Sequence, residues 1–179
     1  MRQIFKIRLK KAEDFAQRCI LVSQKSKKGS YTTIGSNKKV GRGRITQSDI
    51  YILLKLNEWY QSERLYNAWL FSQFEFKAKD WKDFCSKYPQ GSKGYEAFFS
   101  VGHFLELVGV LVKHGLFSEE LFFDTFWFEP IWKNFEPVIK SMRAELGEPA
   151  LEENFEYLYK RYLEWKSSHH SLEQDGRVD

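Results

Sequence analysis

Residues 93–115 read KGYEAFFSVGHFLELVGVLVKHG, and within them Phe98–Val112 is the longest nearly unbroken apolar run of the chain. At 15 residues, interrupted by Ser100, His103 and Glu106, the run is too short and too polar to be read as a membrane span. The stretch reads instead as a single helix from Lys93 to His114, with Gly115 as a left-handed stop. A chain that contains such a helix and no segment requiring a strand is expected to be all-α.

Signals on both sides agree. Upstream, Ser48 can cap a helix carrying Ile50, Leu53, Leu54 and Tyr60, with Asp49 in its first turn favoured by the dipole. Ser62-Glu63-Arg64-Leu65 opens a second helix that bears Leu65, Trp69, Phe71 and Phe76. Asp80–Phe84 reads as a short one, ended by Pro89 and the Gly91-Ser92 turn. Downstream, Ser118-Glu119-Glu120 caps a short helix through Phe126. Pro130 starts another that ends at Gly147, with Pro137 expected to kink or interrupt it. A last helix, from about Leu151 to Ser167, carries Phe155, Leu158, Tyr162 and Trp165 on one stripe. The reading is a bundle of about six helices over residues 46–167, preceded by residues 1–45 and followed by a disordered tail, 168–179, that contains His169 and His170.

Composition divides at the same boundary. The 179 residues hold 31 Phe, Tyr and Trp, far too many for a disordered chain, and 28 of these rings follow residue 45. The net charge of +4 is also a composite. Residues 1–45 hold 13 Lys and Arg against Glu13 and Asp14, whereas residues 46–179 hold 15 against 22 Asp and Glu. A basic N-terminal arm at +11 thus precedes an acidic, ring-rich body at −7. Phe5, Ile7 and Leu9 alternate at strand period, but the longer pattern of Phe5, Leu9, Ala12, Ala16 and Cys19 has helical spacing and favours a basic amphipathic helix; residues 24–45 read as a Gly- and Lys/Arg-rich linker.

The stretches DIYILLKLNEWYQSERLYNAW, WKDF, FFSVGHFLELVGVLVKHGLFSEELFFDTF, IWKNFEPVIKSMRAELG and ENFEYLYKRYLEW occur in that order between Thr46 and Trp165. In this order they resemble a bacterial family known as domain of unknown function 4760. The resemblance implies a small helical domain and carries no assigned activity or catalytic residues. Family members often have a hydrophobic segment where this chain has its basic arm.

Candidate chemistry is sparse. His103 and Glu106 are three apart, a spacing that could supply metal ligands and a metal-dependent enzyme, but too few partner carboxylates accompany them. For Glu106 a buried structural ion pair is the stronger expectation, with Arg143 as partner and Arg64 as second choice. Cys85 reads as a small hydrophobe, and neither a GxSxG elbow, a HExxH pair nor a Walker loop is present. No catalytic, cofactor-binding or metal-binding residues are therefore assigned.

Two features point outward. Phe122, Phe123 and Trp127, with Phe126 and Phe128, are denser than one helix stripe can bury, and are expected to mark a partner or homo-oligomer surface. Lys25, Lys27, Lys28, Lys38, Lys39, Arg42 and Arg44 could tether RNA or DNA phosphates. A solvated arm, a contact with the acidic body and an upstream start are the competing readings of that segment. With no secretory signal legible, the expected location is cytoplasmic. The expected function is non-catalytic protein interaction, with nucleic-acid binding through the arm as the alternative.

Overall fold

The computed structural model describes residues 45–175, and side chains through residue 169. Seven α-helices follow one another: α1 Gln47–Tyr60, α2 Glu63–Leu70, α3 Trp81–Lys87, α4 Lys93–Lys113, α5 Glu119–Thr125, α6 Glu129–Leu146 and α7 Glu153–Asp175. No strand occurs among the described residues. The all-α bundle expected from the sequence is what forms, and each segment read there as a helix has its counterpart. The basic arm, including Lys25, Lys27, Lys28, Lys38, Lys39, Arg42 and Arg44, lies outside the described residues.

Local chemistry sets most of the boundaries. Ser62, Ser92 and Ser118 each accept a first-turn N–H through their hydroxyls, from Leu65, Tyr95 and Leu121. The cap of α1 is Thr46 and not Ser48. Its Oγ1 accepts from Asp49 N at 3.2 Å, and Asp49 Oδ2 accepts from Thr46 N at 2.9 Å, closing a capping box. Asp49 Oδ1 also accepts from Ser118 N at 2.8 Å, which ties α1 to the start of α5. At the end of α6, Gly147 adopts φ +65° and its N–H donates to the Arg143 carbonyl. Pro137 does not interrupt α6: it lies on the exposed side of a helix that runs unbroken from Glu129 to Leu146.

By length and composition α4 could cross a membrane, with a mean hydropathy of 1.4 in its most apolar window. Here it is the central helix of the bundle. Ala97, Phe98, Val101, Phe104, Leu105, Leu107, Val108, Leu111 and Val112 are all buried, against α2, α7 and the turn that follows α2. That turn, Phe71–Glu75, is a π-helix closed by Phe76 N–H donating to the Phe71 carbonyl at 2.9 Å. The extra residue puts Phe71 and Phe76, five apart, into the same core and turns Leu70 and Phe74 outward. Asn134 Nδ2 of α6 donates to the Ser72 and Gln73 carbonyls there, at 2.9 and 3.2 Å.

Most rings are consumed by packing. Phe76, Phe84, Phe98 and Phe135 form one nest, with neighbouring centroids 4.7 Å apart. Phe122, Phe123, Phe126, Phe128 and Tyr162 form another. Buried rings of this size dominate the energetics of a small bundle. The last helix is longer than its sequence signals, continuing through residues 168–175 where a disordered tail was expected. His169 packs its ring on Trp165 with centroids 4.4 Å apart, and its Nδ1 lies 2.8 Å from the Trp165 carbonyl.

Candidate functional site

Helix α7 begins without a capping side chain of its own. The residues before it, Pro149, Ala150, Leu151 and Glu152, include no Ser, Thr, Asp or Asn, and Glu152 sits in the left-handed region at φ +54°. A helix start leaves backbone donors unpaired, and burying them without acceptors is costly. The acceptor comes from α4. Glu106 Oε2 accepts from Asn154 N at 3.0 Å and Phe155 N at 2.8 Å, and Oε1 accepts from Asn154 Nδ2 at 2.6 Å. A carboxylate 48 residues upstream thus caps the last helix, and its charge suits the positive end of the dipole.

Two glycines on the same face of α4 make the approach possible. At Gly109 an added Cβ would lie 2.1 Å from the Asn154 carbonyl oxygen, well inside contact distance. At Gly102 it would meet the Glu152 carboxylate at 3.4 Å, an ordinary contact. Gly102, Glu106 and Gly109 together form a seat for the first turn of α7.

The expected Glu106–Arg143 ion pair does not form. Arg143 Nε donates to the Leu151 carbonyl at 2.7 Å, and Nη1 pairs with Glu156 at 2.5 Å. Nor does Arg64 serve, since it pairs at the surface with Glu96 at 2.9 Å. The reason is local: the neutral donors of α7 already occupy both oxygens of Glu106. Burial pushes the Glu106 carboxyl up, while the bonds from Asn154 and Phe155 oppose that rise.

Glu152 is the second carboxyl of this interior and was not singled out by the sequence. Only 6% exposed, it has an Oε2 without a hydrogen-bond partner, as does Arg143 Nη2. Burial first, and then the charge of Glu106, push its carboxyl up to about 8, with Arg143 opposing. Two signals could have pointed here: the missing cap before α7, and glycines flanking an internal glutamate.

His103 and Glu106 do not converge. The His103 ring meets the edge of Trp59 with centroids 6.3 Å apart, beside an open groove of about 220 Å³ lined by Arg64, Phe99 and Ser100. Glu106 faces α7 on the other side of that spacing. Among the described residues no three His, Cys, Asp or Glu side chains are placed to share a metal ion. Cys85 is exposed, and burial of its thiol together with Glu145 raises its pKa, the reverse of what activates a nucleophile.

The expected partner surface is divided. Phe122 is 0% and Phe123 6% exposed, because α5 lies between α1 and α7 and both of its sides are covered. Phe123 packs on Tyr162 and Trp165, and Phe122 on Phe117, Phe126 and Phe128. Trp127 alone of the three is outward, at 60% exposure. Gln73 Nε2 donates to the Trp127 carbonyl at 2.8 Å, which ties the Trp127 backbone to the turn that carries Phe74, itself 62% exposed. Tyr66 and Leu70, one helical turn apart on α2, are also exposed, at 42% and 36%. The sequence hid this ridge because the π turn, which re-aims Phe74, depends on tertiary packing.

A ring-packed helical bundle with an internally capped C-terminal helix, and no assembled catalytic constellation among its described residues, is the class of protein defined here. Residues 46–162 match the family Domain of unknown function (DUF4760), and the chain belongs to that family. No curated protein and no solved structure matches it.

Proposed function

We propose that this domain is a non-catalytic protein-interaction module whose docking face is the ridge of Tyr66, Leu70, Phe74 and Trp127. The observation that carries the reading is the pair Phe74 and Trp127, two large rings about three-fifths exposed on a fold that buries most of its rings, Tyr51 of α1 being a further exposed one. Aromatic residues are enriched at interfaces, and Trp and Tyr dominate binding hot spots. The ridge is also held in shape, through Gln73 to the Trp127 backbone and through Asn134 to the π turn. Such a face suits a partner that presents apolar side chains between polar rims. The test is a double variant, Phe74→Ser with Trp127→Ser, in the full chain. It should keep the helical content and lose, at least tenfold, the affinity for any directly cross-linked partner or second copy. Undiminished binding by a folded double variant refutes the ridge.

The charge division supports a second reading, nucleic-acid contact through Lys25, Lys27, Lys28, Lys38, Lys39, Arg42 and Arg44. Phosphate binding by this arm predicts a gel shift that weakens steeply with salt and disappears when residues 1–44 are deleted.

A further inference from the structure

We propose that the Glu152 carboxyl is a proton-operated latch on the start of α7. Protonated, it stays buried over Gly102 beside the capping carboxylate of Glu106. Ionised, it gives its proton to solvent and leaves that seat, and the Gly147–Glu152 connection opens.

The geometry carries this in three steps. First, the two carboxyls are not equivalent. Glu106 accepts three hydrogen bonds from Asn154 and Phe155, which stabilise its ionised form. The buried Glu152 Oε2 accepts none, so its charged form is unsupported. Glu106 therefore ionises first, and its charge holds the proton on Glu152.

Second, the surrounding charges do not neutralise an ionised Glu152 where it lies. From α4 come Glu106 and Lys113, and Lys113 is engaged with Glu153 and Asn154. From α6 comes Arg143, committed to Glu156 and the Leu151 carbonyl, with Nη2 unpartnered and no ion pair to Glu152. From α7 come Glu153 and Glu156, both acidic, with Lys160 on the far oxygen of Glu156.

Third, the backbone favours release. Glu152 has the only positive φ of a non-glycine residue among those described, +54°, a conformation kept only while its surroundings impose it. A carboxylate expelled from its seat can relax that dihedral and reach Arg143 Nη2 or water. The first-turn donors of α7 then lose the packing that holds them against Glu106.

The experiment is an NMR titration of the full chain between about pH 3.5 and 9.5, following the Glu152 side-chain carboxyl carbon and the Asn154 and Phe155 amides. The expected result is a Glu152 midpoint near 8, with the amides moving at that same midpoint. Exchange of those amides should accelerate at least tenfold beyond the intrinsic effect of pH. In Glu152→Gln the amide titration should vanish. A Glu152 midpoint near the ordinary 4.5, or a midpoint near 8 that leaves Asn154 and Phe155 exchange unaltered, overturns the latch. The wild-type titration decides the matter even if the variant does not fold.

Discussion

Replacing Gly109 with alanine separates local helix preference from the seating of α7. By propensity alone, Gly→Ala inside α4 should stabilise the protein by about 1 kcal/mol. In the fold, the new Cβ would lie 2.1 Å from the Asn154 carbonyl oxygen, a backbone atom that no rotamer change can move. Restoring contact requires α7 to back away by about 1 Å, since cores are packed too tightly to absorb the methyl elsewhere. That shift stretches the Glu106 bonds to Asn154 N and Phe155 N, now 3.0 and 2.8 Å, to or beyond the limit of a hydrogen bond. Each such bond to a charged group is worth about 1.5–3 kcal/mol. After subtracting the propensity gain, we expect Gly109→Ala to destabilise by about 2–4 kcal/mol, or lower the Tm by about 10 °C. Gly102→Ala is the control: its Cβ meets only the Glu152 carboxylate at 3.4 Å, so its effect should lie within about 1 kcal/mol of neutral. Urea denaturation of both variants checks the pair. A Gly109→Ala protein as stable as the wild type would refute the cross-helix seat.

Further outcomes follow from the same packing. Glu106→Gln presents an NH₂ group to at least one α7 donor and should destabilise by about 2–4 kcal/mol at pH 7, read by chemical denaturation. Phe122→Ala should cost about 3–5 kcal/mol, whereas Trp127→Ala should change stability by less than about 1 kcal/mol. Equal effects in thermal melts would show that the exposed and buried rings have been misassigned. Glu129, bonded to Lys133 and Lys166, has its carboxyl lowered to about 2. Because its folded value is depressed, its contribution is present above the ordinary value near 4.5 and is lost as pH falls through about 2. Glu129→Gln should remove about 1–2 kcal/mol at neutral pH and flatten the acid limb of the stability curve.

Much of the architecture is legible because it is local. Ser62, Ser118, Pro130 and Gly147 act within four residues of themselves, and the structure places helix ends beside each of them. Thr46 and Ser48 can both cap, and the reciprocal bond from Asp49 decides for Thr46. Glu106 reads in the sequence as a buried carboxylate that needs a partner, but charge is the wrong property to search on. Two of its three partners are backbone donors, present at every helix start and carrying no residue type, and the third is the neutral side-chain amide of Asn154. Phe122 and Phe123 misled for a related reason: one helix has too narrow a stripe for both, yet a seven-residue helix between two neighbours has two buried sides. Phe74 turns outward only after the π turn forms, and the pattern of Leu65, Trp69, Phe71 and Phe76 does not announce it.

The cap that Glu106 provides also orders events in time. Helix α4 leaves the ribosome before α7, and the acceptor for the last helix is already on the emerging body when Asn154 and Phe155 follow. The first turn of α7 closes only across 48 intervening residues, which makes it a late step of assembly, dependent on everything before it. A chain cut short after α6 would present Gly102, Glu106 and Gly109 as an unfilled slot on the face of its central helix. That exposed seam would invite the wrong helix, including one from a second chain.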